Sequence, residues 1–460
     1  MTGNLHSSDI SAIKKGTKVL FANFPGDGHF NPLTGLAVHL KNMGCDVRWY
    51  TSPYYREKIE RMNIPFYGFK KAVDVGSHND IDLSFPDRKN HKSQIAKLKF
   101  DLVHAFILRS PEYFEDLREI RKEFCFEVMI ADITFGAIPF VREKMHVPVI
   151  AVSIVPLPET SKDLPPYGLG ITPTSGIAGK IKHWVLRTLS NKMIFSKPTK
   201  IMGEILASYG IEAGKANIFD ILIQKSTLVL QSGTPGFEYR RTDQSRHIHF
   251  AGPLLPHKKT NSGPKWFHEK LKQYDKVILV TQGTVEKDAE KLLVPSLEAF
   301  RNTDYLLVVT TGGSQTEELR QRYQEHNIII EDFIPFDDIM PLADVYISNG
   351  GYGGVLLSIQ HQLPMVVAGI HEGKNEINAR VGYFKLGINL NTEKPTVKKL
   401  RQSVEAILAN PAYTENVERL CREFNSYNPN EICARKLASL LVNNKRPVSI
   451  TARPSLEKIY

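Results

Sequence analysis

Short apolar runs alternate with amphipathic segments along most of the chain. The first run, KVLFANF at residues 18–24, is nearly continuous, which predicts a strand that is buried on both faces of a sheet. The next segment places Leu33, Leu36, Ala37 and Leu40 at helical spacing. The same alternation recurs around the runs DVRWYTS, FEVMIAD, VPVIAVSIV and TLVLQS. Repeated β-α-β units predict a parallel sheet that is covered by helices.

The second half of the chain repeats this pattern after two turn-rich stretches. Residues 156–176 are rich in Pro, Gly and Thr, which predicts a long loop. Residues 249–266 carry turn-forming residues throughout, which predicts a domain boundary. Five further strand candidates follow: KVILVTQ, DYLLVVTT, NIIIEDF, ADVYISN and PMVVAG. The segment from Thr396 onward is predicted to be helical.

Two doubly wound, Rossmann-like α/β domains that face a cleft are the simplest architecture for this order of elements. We expect an N-terminal domain at residues 1–252, a linker at 253–270, a C-terminal domain at 271–445 and a tail at 446–460. In such sheets ligands lie at the carboxyl ends of the strands. The residues that follow each strand are therefore the candidates for chemistry.

Composition narrows the class of protein. The chain has 460 residues, of which 42% are hydrophobic and 23% charged, as is typical of a globular protein with two domains. Its four cysteines are scattered without metal-ligand spacing, which favours a reduced, cytoplasmic setting. The N-terminal stretch has no apolar core, and no run reaches the roughly 18 apolar residues that span a bilayer. We therefore expect neither a secretion signal nor stable membrane insertion.

The net charge of +10 permits several partners. It could attract an anionic substrate, a membrane surface or nucleic acid, or it could be an ordinary solvated basic surface. Nucleic acid is not expected, because no long basic run is interleaved with aromatic residues. Asp80 and Asp82 could hold a divalent cation, but their polar surroundings predict a surface loop, so we expect no metal site. The sequence leaves the oligomeric state open.

The turn GDGHFNP follows the first predicted strand and contains the first candidate for catalysis. Its glycines permit a tight turn and the close approach of a ligand, and Pro32 can start the next helix. His29 could act as a general base, or it could be an ordinary helix-capping or surface histidine. Asp132 ends the run FEVMIAD and could fix the tautomer of His29, or it could cap the following helix.

The stretch NGGYGG is the second candidate site. Its glycines, Gly350, Gly351, Gly353 and Gly354, separate a predicted strand from a predicted helix. Backbone amides at such a helix N-terminus bind anions such as a pyrophosphate, although an ordinary tight turn has a similar composition. The spacing matches neither a Walker A loop nor a dinucleotide-binding fingerprint.

Together these motifs resemble the GT-B glycosyltransferases of the UDP-glycosyltransferase superfamily, in particular bacterial enzymes that glycosylate macrolides and flavonoids. The resemblance covers nearly the whole chain. The matching segments, in chain order, are GHFNP, GP at 252–253, TQGT, FIPF, NGGYGG, QLPMV and KNEINA. The resemblance implies that His29 is the catalytic base and Asp132 its partner, in an acceptor-binding N-terminal domain. It also implies that the C-terminal domain binds a nucleotide sugar.

Further site residues follow from the resemblance alone. The implied donor-binding residues are Gly28, Thr284, Phe333, Ile334, Asn349, Gly351, Gly353, Gly354, Glu372, Lys374 and Asn375. The helix at 95–107 and the loop at 156–174 are expected to line the acceptor pocket. Phe100, Phe106 and Phe135 are plausible acceptor contacts, although phenylalanine is more often part of the core.

Departures from the family pattern bear on the donor. Asn349 replaces the phosphate-binding histidine, Gly354 replaces a serine, and Leu357 replaces the glutamate that holds the ribose hydroxyls. Leucine cannot accept hydrogen bonds, and a deoxyribose has one hydroxyl fewer to satisfy. The change therefore favours a thymidine donor such as dTDP-rhamnose over a UDP-glucose type donor. The family's sugar-binding aspartate falls on a lysine, so Glu372 or His371 could take the acidic role.

The function that the resemblance implies is inverting, metal-independent O-glycosyl transfer without a cofactor. The co-substrate is a nucleotide diphosphate sugar, and the acceptor is a hydroxyl of a small aromatic or natural-product molecule such as a flavonoid. Three alternatives stay open: a membrane-peripheral transferase with a lipid acceptor, a GT-B nucleotide-sugar 2-epimerase, and a binding protein with an inactive site.

Overall fold

The computed structural model describes residues 10–76, 81–257, 265–283 and 286–444. They form two β-sheets. The strands of the first sheet are β1 (Lys18–Ala22), β2 (Asp46–Thr51), β3 (Phe66–Gly68), β4 (Val128–Asp132), β5 (Val149–Ser153), β6 (Leu228–Ser232) and β7 (Ile248–Gly252). The strands of the second sheet are β8 (Lys276–Thr281), β9 (Tyr305–Thr310), β10 (Ile328–Glu331), β11 (Val345–Ser348), β12 (Met365–Val367) and β13 (Gly387–Asn389).

Helices connect the strands. The α-helices are α1 (Asp27–Asn42), α2 (Arg56–Glu60), α3 (Ile81–Ser84), α4 (Gln94–Asp101), α5 (Ser110–Glu123), α6 (Ile138–Lys144), α7 (Gly176–Ser190), α8 (Ser196–Ser208), α9 (Ile218–Lys225), α10 (Leu293–Phe300), α11 (Thr316–Arg322), α12 (Phe336–Ile339), α13 (Tyr352–Gln360), α14 (Lys374–Tyr383), α15 (Val397–Leu408), α16 (Ala412–Phe424) and α17 (Pro429–Asn444). The 3-10 helices are Ile10–Ala12, Pro53–Tyr55, Pro86–Asn90, Pro235–Phe237, Glu269–Lys272 and Met340–Leu342. Two π-helical turns are Leu102–Ile107 and Asn191–Phe195.

Both sheets have the strand order of a doubly wound fold. The order is β3-β2-β1-β4-β5-β6-β7 in the first sheet and β10-β9-β8-β11-β12-β13 in the second. The paired strands of both sheets are parallel. The chain order reverses between β1 and β4 and between β8 and β11, and such switch points are where these sheets bind ligands. The predicted α/β fold with two doubly wound domains is confirmed.

The central strands are apolar because both of their faces are covered. Strands β4, β5 and β6 are buried at every residue. Successive residues alternate between two apolar clusters, so that Ile130 packs into the cluster on one face and Met129 into the cluster on the other. A strand of this kind needs no polar face, and its sequence is therefore a continuous apolar run.

Three strands at the edges of the sheets have no clear signal in the sequence. Strands β3 and β13 have three residues each, and β7 occupies part of the stretch that was predicted to be a turn-rich boundary. Each of the three is an edge strand. An edge strand pairs on one side only and needs less apolar burial than a central one.

The last helix returns to the first domain. Cys433 and Leu437 of α17 join the apolar cluster that β1 and α1 form. Residues 429–444 therefore pack on the N-terminal sheet, although they fall within the range 271–445 that was predicted for the C-terminal domain. The predicted tail at 446–460 lies outside the described residues, as does part of the predicted linker.

A buried ion cluster joins the two domains. Arg380 in α14 is 1% exposed and donates to Glu238 at 2.9 Å and to Glu376 at 3.0 Å. Burial disfavours the charge of the guanidinium, but the two carboxylates outweigh burial and raise the pKa of Arg380. The other oxygen of Glu376 accepts from the N–H groups of Gly168 and Gly170, each at 2.8 Å. The cluster therefore ties the long loop before α7 to α14.

Arg380→Met should destabilise the fold strongly. The substitution removes the guanidinium that pairs with the buried Glu238 and Glu376, and removing one partner of a buried ion pair typically costs about 3–5 kcal/mol. Arg61→Met is the matched control, because the Arg61–Glu57 pair is exposed and such pairs contribute about 0–1 kcal/mol. Urea unfolding followed by circular dichroism measures the free energy of unfolding of each variant. Equal losses in the two variants would contradict the role of the cluster.

Candidate active site

The first turn of α1 carries His29 to the switch point of the first sheet. Helix α1 begins at Asp27, directly after the extended residue Gly26. The N–H of His29 donates to the carbonyl of Gly26 at 2.9 Å, so the imidazole lies close to the carboxyl end of β1. Pro32 lies inside the helix and does not start it, in contrast to the prediction.

Asp132, the last residue of β4, holds this imidazole. The Nδ1 atom of His29 lies 3.0 Å from Oδ1 of Asp132. The side chain of Asp132 is fully buried, and that of His29 is 21% exposed. Strands β1 and β4 are neighbours in the sheet, which explains how two side chains that are 103 residues apart in sequence meet.

Three further hydrogen bonds satisfy the buried carboxylate. The N–H of Phe24 donates to Oδ2 at 2.7 Å, and the N–H of Thr134 donates to Oδ1 at 3.0 Å. The hydroxyl of Thr134 also donates to Oδ1. These bonds compensate the burial of the carboxylate and fix its position. Asp132 does not cap the following helix, because α6 begins at Ile138 after Ala137.

This arrangement leaves one imidazole nitrogen for chemistry. When Nδ1 of His29 donates its hydrogen to Asp132, the neutral ring carries its lone pair on Nε2. The hydroxyl of Thr134 also lies 3.1 Å from Nδ1, and this residue was not among the predicted site residues. Its only signal in the sequence is the Asp-x-Thr spacing at the end of a strand. The site can accept a proton from a hydroxyl group that approaches Nε2.

Two stacked aromatic rings lie beside His29. The ring centroids of Phe24 and Phe106 are 4.2 Å apart, and they lie 5.1 Å and 6.4 Å from the imidazole centroid. Phe106 belongs to the π-helical turn Leu102–Ile107 and is half-buried. It therefore stays a candidate for contact with an acceptor.

The other two candidate acceptor contacts differ in their burial. Phe135 is fully buried and stacks on Tyr113 with centroids 4.9 Å apart. The prediction for Phe135 is therefore corrected, because a ring inside the core has no surface left for a ligand. Phe100 is half-buried and stacks on His104 with centroids 4.3 Å apart. It stays a candidate, next to the turn that carries Phe106.

The glycine loop follows β11 and leads into α13. Gly350 has a left-handed backbone with φ +82°, and a Cβ atom there would lie 1.7 Å from Oδ1 of Asn378, so only glycine fits. The side chain of Asn349 donates to the carbonyl of Gln282 and accepts from the N–H of Gly351 at 3.3 Å. Asn349 therefore connects the loops that follow β8 and β11, a role that its sequence context did not indicate.

The glycine loop lies against the first domain. Gly353 is exposed, with nothing within 4 Å of the position of a Cβ atom, and Gly354 is half-buried. The hydroxyl of Tyr352 donates to the carbonyl of Ser232 at 2.8 Å. Because Ser232 ends β6 in a parallel sheet, the glycine loop lies at the same sheet edge as the imidazole–carboxylate pair. The glycine loop and the His29–Asp132 pair therefore both lie at the carboxyl ends of the strands of the first sheet.

The polar segment at the start of α14 is engaged with protein groups. The Nζ atom of Lys374 lies 2.6 Å from Oε2 of Glu372, so the lysine pairs with the carboxylate that was expected to bind a sugar. Asn375 donates to the carbonyl of Gly168 at 2.8 Å. Asn375 and its neighbour Glu376 thus both bind the loop that contains Gly168. Asn375 was predicted to bind the donor, and Glu376 was not among the predicted site residues.

The remaining predicted donor residues differ in exposure. Phe333 is 66% exposed, whereas Ile334 is 6% exposed and packs in the apolar core of the second domain. The prediction for the side chain of Ile334 is therefore corrected, and only its backbone is left for a donor. Gly28 is exposed in the first turn of α1. Thr284 lies outside the described residues.

Among the described residues, no three His, Cys, Asp or Glu side chains are grouped so that they could hold a metal ion. Asp80 lies outside those residues, and metal independence stays a prediction. No helix within the described ranges is long and apolar enough to cross a bilayer. The cysteines Cys45, Cys125, Cys421 and Cys433 are free thiols.

Comparison with known proteins places the chain in a family. Residues 296–440 match the family described as erythromycin biosynthesis protein CIII-like, C-terminal domain. The chain is 32% identical over 412 residues to 4'-demethylrebeccamycin synthase of Lentzea aerocolonigenes, across 89% of this chain and 96% of that protein. It is 27% identical over 422 residues to UDP-glycosyltransferase 2 of Phaeomoniella chlamydospora, across 88% and 92% of the two chains.

Solved structures share the fold. The calicheamicin glycosyltransferase CalG4 superposes with a TM-score of 0.71 at 18% identity, over 94% of this chain and 100% of that structure. The spinosyn rhamnosyltransferase SpnG complexed with thymidine diphosphate superposes with a TM-score of 0.62 at 14% identity, over 91% and 99%. The fold is that of a GT-B glycosyltransferase. The chain belongs to the UDP-glycosyltransferase superfamily, among the natural-product glycosyltransferases, which confirms the resemblance seen in its motifs.

Gly350→Ala and Gly353→Ala should separate two uses of glycine in this loop. Gly350→Ala forces a side chain into a left-handed backbone and against Asn378, so it should lower the free energy of unfolding by about 1–3 kcal/mol. Gly353→Ala has room and lies in a helix, so stability should be unchanged or rise by up to about 1 kcal/mol.

Nucleotide binding should nevertheless weaken in Gly353→Ala, because the added methyl group covers an exposed amide of the helix N-terminus. Urea unfolding and calorimetry with dTDP and UDP measure the two quantities. Wild-type nucleotide affinity in Gly353→Ala would contradict a diphosphate site at this position.

Proposed function

We propose that this protein is an inverting O-glycosyltransferase that moves a sugar from a nucleotide diphosphate sugar to a hydroxyl of a small aromatic natural product such as a flavonoid. The proposal rests on the His29–Asp132 pair, whose Nδ1 and Oδ1 atoms lie 3.0 Å apart. The pair lies at the carboxyl ends of the strands of the first sheet, which the glycine loop contacts through Tyr352. A base and an anion-binding helix N-terminus in one cleft are what direct displacement of a diphosphate requires.

In the proposed reaction, Nε2 of His29 takes the proton of the acceptor hydroxyl while the oxygen attacks the anomeric carbon. The new C–O bond forms on the face opposite the diphosphate, and the bond from the anomeric carbon to the diphosphate oxygen breaks, so the configuration inverts. Asp132 stabilises the resulting imidazolium. The diphosphate leaves with the bonding electrons, and the amides at the start of α13 stabilise its charge.

The donor that we favour is dTDP-rhamnose, with a UDP-glucose type donor as the alternative. Leu357 packs on the apolar cluster of the second domain and is half-buried, so it offers no acceptor to a ribose hydroxyl. The similarity to a rhamnosyltransferase that binds thymidine diphosphate supports this choice. The exposed ring of Phe333 can stack on the base.

A donor panel with a flavonol acceptor, read by mass spectrometry, tests the proposed function. The mass added to the acceptor identifies the sugar that is transferred. Conversion of the nucleotide sugar without an acceptor would indicate a 2-epimerase instead. Binding of nucleotide sugars without transfer to any acceptor would indicate a binding protein with an inactive site.

His29→Ala and Asp132→Asn should each lower kcat/KM by about 10²–10⁴-fold, the usual contribution of a general base. The double variant should lose little more than either single variant, because the two residues act as a unit. His39→Ala on the same helix is the control and should keep the parent rate. Circular dichroism checks the folding of each variant. A rate for His29→Ala within about threefold of the parent rate would rule out His29 as the general base.

EDTA should leave the rate unchanged. The diphosphate meets backbone amides at the start of α13, so no divalent cation is needed to neutralise it. The rate after buffer exchange into EDTA is compared with the rate in added Mg²⁺ or Mn²⁺. A strict requirement for either ion would overturn metal independence.

dTDP should bind about tenfold more tightly than UDP. At Leu357, a uridine nucleotide would leave a ribose hydroxyl without an acceptor, which costs about 1–3 kcal/mol, and about 1.4 kcal/mol corresponds to a tenfold change in affinity. Leu357→Glu should narrow or reverse the difference, and the apolar control Leu357→Met should keep it. Calorimetry with both nucleotides measures the affinities. Equal affinities in the parent protein, or a preference for UDP, would remove the case for a thymidine donor.

A further inference from the structure

A row of exposed apolar side chains lies along α7 and the π-helical turn that follows it. Its members, with their exposed fractions, are Ile177 (80%), Ile181 (59%), Trp184 (62%), Val185 (40%), Leu189 (48%) and Met193 (67%). Most of the spacings are three or four residues, which places neighbouring members on the same side of the helix. These six residues are named the apolar row. Apolar side chains scattered singly are normal on a surface, but a contiguous row marks an interaction site.

The opposite side of α7 is fixed to the rest of the protein. His183 is 1% exposed, donates from Nδ1 to the carbonyl of Asp163 at 2.9 Å and accepts at Nε2 from the N–H of Thr174 at 3.1 Å. A Cβ atom at Gly179 would lie 2.1 Å from the carbonyl oxygen of Thr174. These contacts hold the helix in one rotation, so the apolar row faces outward.

The chain around the apolar row is strongly basic. Residues 164–203 contain no acidic residue. Their six basic residues are Lys180, Lys182, Arg187, Lys192, Lys197 and Lys200. This short segment therefore contributes +6, while the whole chain has a net charge of +10. Lys180, Lys182 and Lys192 are exposed on the same helical segment as the apolar row.

We propose that the apolar row and these lysines form a docking surface for an anionic lipid bilayer. Apolar side chains of such a helix enter the boundary between headgroups and acyl chains, and tryptophan is enriched at that depth. Lysines near the surface are attracted to anionic headgroups. A second copy of this chain is a poor occupant, because it would bring two basic segments of the same sign face to face. The docking surface does not depend on the transfer reaction.

Sedimentation with vesicles tests the docking surface. The protein should bind vesicles of phosphatidylcholine with phosphatidylglycerol more strongly than vesicles of phosphatidylcholine alone, and added salt should weaken the binding. Ile181→Ser with Trp184→Ser should lower the partition coefficient at least about tenfold, since two apolar side chains are no longer buried. Leu342→Ser is the control, because Leu342 is 44% exposed on the second domain, and it should bind as the parent does.

Charge reversal provides a second variant on the exposed surface. Lys180→Glu with Lys192→Glu should lower binding to the anionic vesicles by about 25-fold or more, at about fivefold for each lysine. It should leave the thermal unfolding temperature and the transfer of sugar to a water-soluble flavonol close to those of the parent protein. A protein that binds vesicles but transfers no sugar would refute the proposed function and leave the docking surface standing.

Trp184 also reports on docking directly. It is one of three tryptophans, and Trp49 is fully buried while Trp184 is 62% exposed. Anionic vesicles should shift its emission to shorter wavelength, and Trp184→Phe should lose that shift while still binding. Failure to bind anionic vesicles, or equal binding by the parent and the two-serine variant, would overturn the proposal. A dimer in lipid-free sedimentation that the serines abolish would make this face a contact between copies instead.

Discussion

The buried carboxylate of Asp132 sets the geometry of the whole first site. It has no exposed surface, so its charge has to be met by hydrogen bonds inside the protein. The amides of Phe24 and Thr134 and the hydroxyl of Thr134 meet it, and His29 completes the set. Since β1 and β4 are neighbours at the switch point, these donors come from two loops that the sheet itself holds together. The orientation of the imidazole thus follows from the burial of its partner.

A second buried charge relates this site to the other domain. Arg380 is held between Glu238 and Glu376, and Glu376 in turn holds two amides of the long loop before α7. The loop that is expected to line the acceptor pocket and the helix that is expected to bind the donor sugar are therefore one connected unit. Tyr352 adds a contact between the glycine loop and Ser232. The proposed transfer needs both substrates close together, and these contacts hold the two domains against each other.

Much of this arrangement can be predicted from the sequence. Central strands give continuous apolar runs, and an unusual His and Asp at two strand ends stand out against them. The edge strands and the packing of α17 on the first domain have no such pattern in the sequence, because they depend on contacts between distant segments. The same holds for single side chains: burial of Phe135 and Ile334, and the bond from Asn349 to the carbonyl of Gln282, are set by tertiary contacts that no local pattern encodes.

In the proposed reaction, the transfer of the acceptor proton to His29 is the step on which catalysis depends. It is tested most directly by kcat/KM for a series of phenols of decreasing hydroxyl pKa, measured with the parent protein and with His29→Ala. With the base present, proton removal is assisted and the rate should depend weakly on the pKa of the phenol. In His29→Ala, kcat/KM should rise steeply as the phenol becomes more acidic. The difference in kcat/KM between the variant and the parent protein should therefore shrink along the series. An equal fold-loss of kcat/KM in His29→Ala for every phenol would contradict proton removal by His29.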